Sequence, residues 1–170
     1  PKEIGNFKSL NTLHLDSNLI DGPLPAELGK CQELTYFYAS NNRFMGEIPK
    51  ELGNAKSLKY LKLKQNLLQG EIPAELGKLT QLWELDFSDN QLSGEIPEEL
   101  GNLENLTQLK LNQNQLTGAV PASLKNLKRT FSIDLSDNQL DSLPDLSVLK
   151  LSSFHVRNNK LTFNDLLPNY

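Results

Sequence analysis

The chain has 170 residues, 38% of them hydrophobic and 22% charged, and its 17 Lys and Arg against 21 Asp and Glu leave a net charge of −4. This is the balance of one soluble folded domain; no run of about 18 apolar residues exists to span a bilayer, and the acidic excess argues against a nucleic-acid partner. One Cys and two distant His exclude an internal disulfide and a His/Cys zinc site, so neither metal nor cofactor is expected.

The chain opens halfway through a unit. Pro1 aligns with Pro25, and Lys2-Glu3-Ile4-Gly5-Asn6 matches Lys50-Glu51-Leu52-Gly53-Asn54. Residues 1–9 therefore read as a partial repeat, left by an upstream array or by removal of a capping piece. From residue 10 to residue 159 about seven repeats follow. Asn recurs at 18, 42, 66, 90, 114 and 138, always 24 residues apart, and once more at 159 after a step of 21. Such self-similarity is the mark of a stacked array.

Within each unit the apolar residues fall in columns ahead of the Asn. Leu10, Leu34, Leu58, Leu82, Leu106 and Leu151 form the first. Leu13, Phe37, Leu61, Leu85, Leu109, Ile133 and Phe154 form the second, and Leu15, Ala39, Leu63, Phe87, Leu111, Leu135 and Val156 the third. Apolar and polar residues alternate there, which predicts one short, half-buried strand per unit. The Asn ends the strand. Its amide both donates and accepts, so Asn18, Asn42, Asn66, Asn90, Asn114, Asn138 and Asn159 are expected to form a ladder that satisfies backbone groups between turns.

The second half of the unit reads Gly-x-Ile/Leu-Pro-x-Glu-Leu-Gly at 22–29, 46–53, 70–77 and 94–101. Pro25, Pro49, Pro73 and Pro97 are expected at the first position of a short helical turn, where a missing N–H costs nothing. Glu27, Glu51, Glu75, Glu98 and Glu99 suit the positive end of that turn. Gly29, Gly53, Gly77 and Gly101 are expected to close it as left-handed caps. A lone unit buries too little to offset the ordering of its backbone, so the units must stack. Toward the C-terminus the pattern loosens: Lys125 replaces Gly, Thr130 replaces Leu, and Leu140-Asp141-Ser142-Leu143-Pro144 lacks the Gly-x-Ile-Pro step. Residues 160–170 read as a C-terminal cap or truncated end.

The recurring unit, Leu-x-x-Leu-x-Leu-x-x-Asn-x-Leu-x-Gly-x-Ile-Pro-x-x-Leu-Gly, resembles the leucine-rich repeat family, and its Gly-x-Ile-Pro half resembles the plant-type subclass. The match covers essentially the whole chain. The resemblance implies an α/β solenoid: a right-handed curved stack with a concave parallel β-sheet, convex short 3-10 turns and a second short strand on the flank. It also implies a secreted or cell-surface setting, in a bacterial surface protein or a plant receptor-like ectodomain. The paired-Cys caps usual in that subclass are absent. Cys31 is isolated and reads as a small filler at a coil junction.

In such strands the intervening residues face outward in five lanes. Tyr36, Tyr38, Tyr60 and Trp83 then share a patch about three coils wide, bordered by Lys59, Lys62 and Lys64. Exposed aromatic residues are enriched at interface hot spots, so Tyr36, Tyr38, Tyr60, Lys62, Lys64 and Trp83 form the candidate partner site. The competing reading is that the rings only pack on one another across strands. Asp86, Asp89, Asp134 and Asp137 make the later coils acidic, with no loop signature for calcium. His14 and His155 stand six coils apart, and no Ser and Asp are expected around either, so no catalytic site is expected. Asn105-Leu106-Thr107 is a glycosylation sequon just ahead of a strand. The reading is a non-catalytic module that recognises a protein or peptide through its concave face and flank. The alternatives are an inhibitor of a secreted hydrolase, similar to polygalacturonase-inhibiting proteins, or a structural spacer.

Overall fold

A computed structural model describes residues 1–166. Seven three-residue strands, one per coil, form a parallel sheet in chain order. They are β1 (Thr12–His14), β3 (Tyr36–Tyr38), β5 (Tyr60–Lys62), β7 (Glu84–Asp86), β9 (Gln108–Lys110), β11 (Ser132–Asp134) and β13 (Ser153–His155). A flanking parallel sheet holds β2 (Asp21–Gly22), β4 (Arg43–Gly46), β6 (Leu67–Gly70), β8 (Gln91–Gly94), β10 (Gln115–Ala119) and β12 (Gln139–Ser142). The remaining side of each of the first six coils carries a five-residue 3-10 turn: η1 (Lys2–Asn6), η2 (Ala26–Lys30), η3 (Lys50–Asn54), η4 (Ala74–Lys78), η5 (Glu98–Asn102) and η6 (Ala122–Asn126). A short helix, α1 (Phe163–Leu166), follows the last coil. None of the described helices is long and apolar enough to cross a membrane.

The register keeps equivalent positions level: Tyr36 pairs with Tyr60, Tyr60 with Glu84, and Glu84 with Gln108. Each apolar column therefore stacks on itself. Leu58, Leu61, Leu63, Leu82, Leu85 and Phe87 have no exposed surface. At the first coil Leu10, Leu13 and Leu15 are only partly buried, and so are Leu151, Phe154 and Val156 at the last. An inner coil is covered on both faces and an end coil on one, as stacking requires. Leu161 and Leu166 pack partly buried against the core after the last coil; the rest of the expected cap, residues 167–170, lies outside the described residues.

Each Asn from 42 onward makes the same bonds. Asn42 Nδ2 donates to the Leu15 carbonyl of the preceding coil (2.9 Å), and its Oδ1 accepts the Ile20 N–H (3.1 Å). Asn66, Asn90, Asn114, Asn138 and Asn159 repeat the pair of bonds, the last accepting from Leu140 N (3.0 Å). Asn18 differs: its amide donates only within its own turn, to Leu15 and Asp16 carbonyls.

Two expectations about the turns need correcting. Pro25, Pro49, Pro73 and Pro97 sit one residue before their 3-10 turns with extended ψ, rather than at the first turn position. Their carbonyls start the turn, as in Leu28 N–H to Pro25 O (3.1 Å). Gly29, Gly53, Gly77 and Gly101 are not left-handed caps. A Cβ on Gly53 would collide with the backbone carbonyl of Glu75 in the next coil, so this column is Gly because the turns approach too closely for a side chain. The left-handed glycines are instead those opening the Gly-x-Ile-Pro step, such as Gly46 at φ 78°. A left-handed position outside glycine also recurs: Ser17, Asn41, Gln65, Asp89, Gln113, Asp137 and Asn158 all lie between φ 53° and 58°. They form the fifth lane, which is a tight turn and not a continuation of the strand.

The C-terminal departures have local causes. Lys125 stands in the close-approach column; no 3-10 turn follows η6 among the described residues, and the Lys125 side chain is exposed. Thr130 is buried in the Leu column because its hydroxyl donates to the Leu106 carbonyl of the coil before (2.7 Å).

Candidate ligand-binding face

The three-residue strands turn alternate side chains off the sheet, and the level register lines them up. Tyr36 and Tyr60, directly opposed, stack with centroids 5.3 Å apart and planes 13° apart. Trp83 meets Tyr60 edge-on at 5.9 Å. Tyr38 lies 6.2 Å from Tyr36 and 6.3 Å from Tyr60, and His14 packs edge-on to Tyr38 at 5.3 Å. A continuous string of five rings thus crosses the first four coils. Each contact of this kind contributes about 0.5–1.5 kcal/mol beyond burial. The tyrosines are half-buried by one another, and Trp83 keeps 41% of its surface. The rings cluster on one face and pack on one another, as the competing reading of the sequence expects.

The lysines divide. Lys62 Nζ lies 2.8 Å from Glu84 Oε2, 5.6 Å from the Tyr38 centroid and 6.0 Å from that of Tyr60. Lys59 Nζ stands 5.2 Å from the Trp83 centroid. Lys64 leaves the rings and faces Asp89 at 3.5 Å. Burial pulls the Lys62 ammonium toward neutrality, but the hydrogen bond and charge of Glu84, aided by Tyr38 and Asp86, outweigh it and hold its pKa above the usual lysine value. The Tyr38 hydroxyl is pushed up mainly by burial, with Lys62 opposing and Tyr60, Glu84 and Tyr36 adding to the rise.

Glu84 is the residue that sequence reading missed. Level with Tyr60 of the preceding coil and polar, it is expected to face solvent, yet it keeps only 6% of its surface, as does Asp86. Its carboxylate is held between Lys62 and Lys110 (3.5 Å), and Lys110 also reaches Asp86 at 3.9 Å. Asp86 accepts from the Ser88 N–H (3.1 Å) and hydroxyl (2.6 Å). The signal available in the sequence was Lys62 and Lys110 one coil to either side, in the neighbouring lane.

At the far end the structure corrects another expectation. Ser153 Oγ lies 3.5 Å from His155 Nε2, and His155 Nδ1 lies 3.5 Å from Asp134, so a Ser, a His and an Asp do meet. Both contacts are at the outer limit of a hydrogen bond, and the His155 side chain is 61% exposed. Asp134 already accepts the Ser136 N–H at 3.0 Å. His14 pairs with Asp16 at 3.0 Å. The sequon is internally engaged: Asn105 donates to the Thr80 carbonyl (2.8 Å) and accepts from Arg129 (2.9 Å), while Thr107 donates to the Trp83 carbonyl (2.8 Å). Cys31 is fully buried; burial raises its thiol pKa and Lys8 opposes the rise. Among the described residues no three His, Cys, Asp or Glu side chains converge as metal ligands would.

A plant peptide hormone receptor, RGFR1, solved in complex with RGF2, is similar over 95% of this chain and 26% of its own, with 38% identity and a TM-score of 0.92. The Arabidopsis receptor kinase HAESA, solved with the peptide hormone IDA and the co-receptor SERK1, matches over 95% of this chain and 28% of its own, with 35% identity and a TM-score of 0.88. A plant ice-binding protein matches over 95% of this chain and 53% of its own, with 28% identity and a TM-score of 0.87. The chain thus spans about a quarter of the two receptor chains. A family model described as a leucine-rich repeat region matches residues 1–166. With a strand, an Asn step and a Gly-x-Ile-Pro turn repeated along that length, the chain belongs to the leucine-rich repeat family, in its plant-type form.

Proposed function

We propose that this chain is a non-catalytic, extracellular peptide-recognition segment of a larger protein, binding through the ring string on the concave face of its first four coils. The observation that carries this reading is the string itself. Tyr36, Tyr60 and Trp83 are held in line by paired strands, and Trp83 remains 41% exposed. Aromatic side chains offer large contact area at low entropic cost, and a rigid sheet has little freedom left to lose on binding. The similarity to receptors solved with peptide hormones supports the ligand class and the extracellular setting. The ice-binding relative shows that the frame alone does not decide the ligand, which must be read from the lanes. Ser153, His155 and Asp134 lack the tight geometry and dry surroundings that activate a nucleophile. The inhibitor reading draws no support from these relatives.

The test is selection of a displayed random-peptide library on the chain, followed by titration of enriched peptides. Trp83, the one Trp in the sequence, reports locally by fluorescence. Enriched peptides should shift that emission and lose binding to a Tyr36→Ala/Tyr60→Ala/Trp83→Ala variant. Peptides that bind this variant equally well, or no enrichment at all, would leave the face a structural spacer.

A further inference from the structure

Resting on that reading, we propose that the ligand presents an anionic group beside a bulky apolar side chain, with Lys59 taking the anion and Trp83 the apolar group. The argument is an inventory of charge on the wall. Its carboxylates already have partners: Asp16 has His14, Glu84 has Lys62 and Lys110, Asp86 has Lys110 and Ser88, and Asp89 has Lys64. Asp134 faces His155 and Asp137 faces Arg157. A cationic ligand would have to displace one of these contacts, and the two carboxylates nearest the rings are buried. Among the cations, Lys62, Lys64, Lys110 and Arg157 are each matched to a carboxylate. Among the described cations of this wall Lys59 is the exception: its ammonium faces the Trp83 ring and no carboxylate is paired with it.

Lys59 and Trp83 occupy the same lane in successive coils, and the Trp83 N–H is bonded to the Lys59 carbonyl at 2.7 Å. The free charge and Trp83, more exposed than the three half-buried tyrosines of the string, are therefore fixed side by side. The other ring faces are less available, because Tyr36 and Tyr60 stack on each other and Lys62 stands near Tyr38 and Tyr60. That disfavours a ligand needing several open ring faces, such as a row of sugars. The chain's net charge of −4 gives no long-range attraction for an anion. The preference must be local, acting within about one Debye length, roughly 10 Å at 0.1 M salt.

The experiment repeats the library selection on the chain and on Lys59→Glu and Lys59→Met variants, with Trp83 emission as the check that each is folded. The wild type should enrich peptides with an acidic group next to Leu, Ile, Phe or a similar residue. Lys59→Met should weaken them by about 2–5-fold, the scale of one exposed ion pair. Lys59→Glu should weaken them about tenfold and enrich basic peptides instead. Free and amidated versions of each enriched peptide separate a terminal carboxylate from an Asp or Glu side chain as the anion. Peptides that lose binding on removal of the rings but show the same charge preference on all three proteins would overturn this inference and leave the ring site standing. Peptides indifferent to the rings would overturn both.

Discussion

Coils one to four and coils five to seven share one frame and differ in what they display. The same Asn bonds tie Asn66 and Asn138 to their neighbours, with Nδ2 to the preceding coil at 2.9 Å in both. The same left-handed turn recurs at Gln65 and Asp137. On this common frame β3 and β5 carry Tyr36, Tyr38 and Tyr60, with Trp83 just ahead of β7, while β9, β11 and β13 carry Gln108, Ser132, Asp134 and Ser153. Positions that face the neighbouring coil are constrained by stacking, and positions that face outward differ from coil to coil. On the proposed reading, recognition belongs to the outward lanes and stability to the columns between coils.

The sharpest way to break that division is to load the contact between turns. Gly53→Val should cost about 3 kcal/mol, since its side chain would meet the Glu75 carbonyl. Lys125→Gly, exposed in the same column with no 3-10 turn in the next coil among the described residues, should change stability by less than about 0.5 kcal/mol apart from the greater freedom of Gly. Thermal and urea unfolding of both variants measure the difference. Equal effects would mean the turns are not pressed together.

The ladder comes next. Asn90→Ala removes bonds to the Leu63 carbonyl and the Leu68 N–H and should cost about 1–3 kcal/mol. Asn18→Ala, which loses only bonds within its own turn, should cost clearly less. A urea midpoint unchanged for Asn90→Ala, as for a surface Gln91→Ala control, would contradict the ladder.

A smaller effect concerns alkaline pH. Lys62 and Tyr38 both hold their protons more tightly when folded than when unfolded. The unfolded chain releases them first, so stability is fully present below about pH 10 and falls as pH rises through the raised folded values. Lys62→Met should flatten part of that fall in a denaturation series from pH 9 to 12. A series with the same slope for variant and wild type would remove Lys62 from the explanation.

The smallest is conformational. Gln65→Asn places a residue that tolerates the left-handed region at φ 54° and should raise stability by a few tenths of a kcal/mol.

These contrasts also mark what the sequence makes legible. The Leu columns and the 24-residue Asn step predict the parallel stack, because burial and backbone satisfaction recur at fixed positions. The aromatic clustering follows from level register alone. Gly53 and Gly46 look alike in sequence, yet one avoids a carbonyl and the other adopts positive φ; only the packing of adjacent coils separates the two causes. The fifth lane hides its left-handed turn because Ser, Asn, Gln and Asp all occupy it. The burial of Glu84 depends on Lys62 and Lys110, residues 22 and 26 positions away in chain number, and a reading of polarity within one coil cannot show it.

The central claim is that recognition lies in the outward lanes of the early coils. It is tested most directly by the affinity of one library-selected peptide for two folded variants, measured by calorimetry. Tyr60→Ala/Trp83→Ala should lose about 2 kcal/mol of binding, roughly 30-fold. Ser132→Ala/Ser152→Ala, matched in lane but in the late coils, should bind within about twofold of wild type. Equal affinities, or the larger loss in the late coils, would contradict the account.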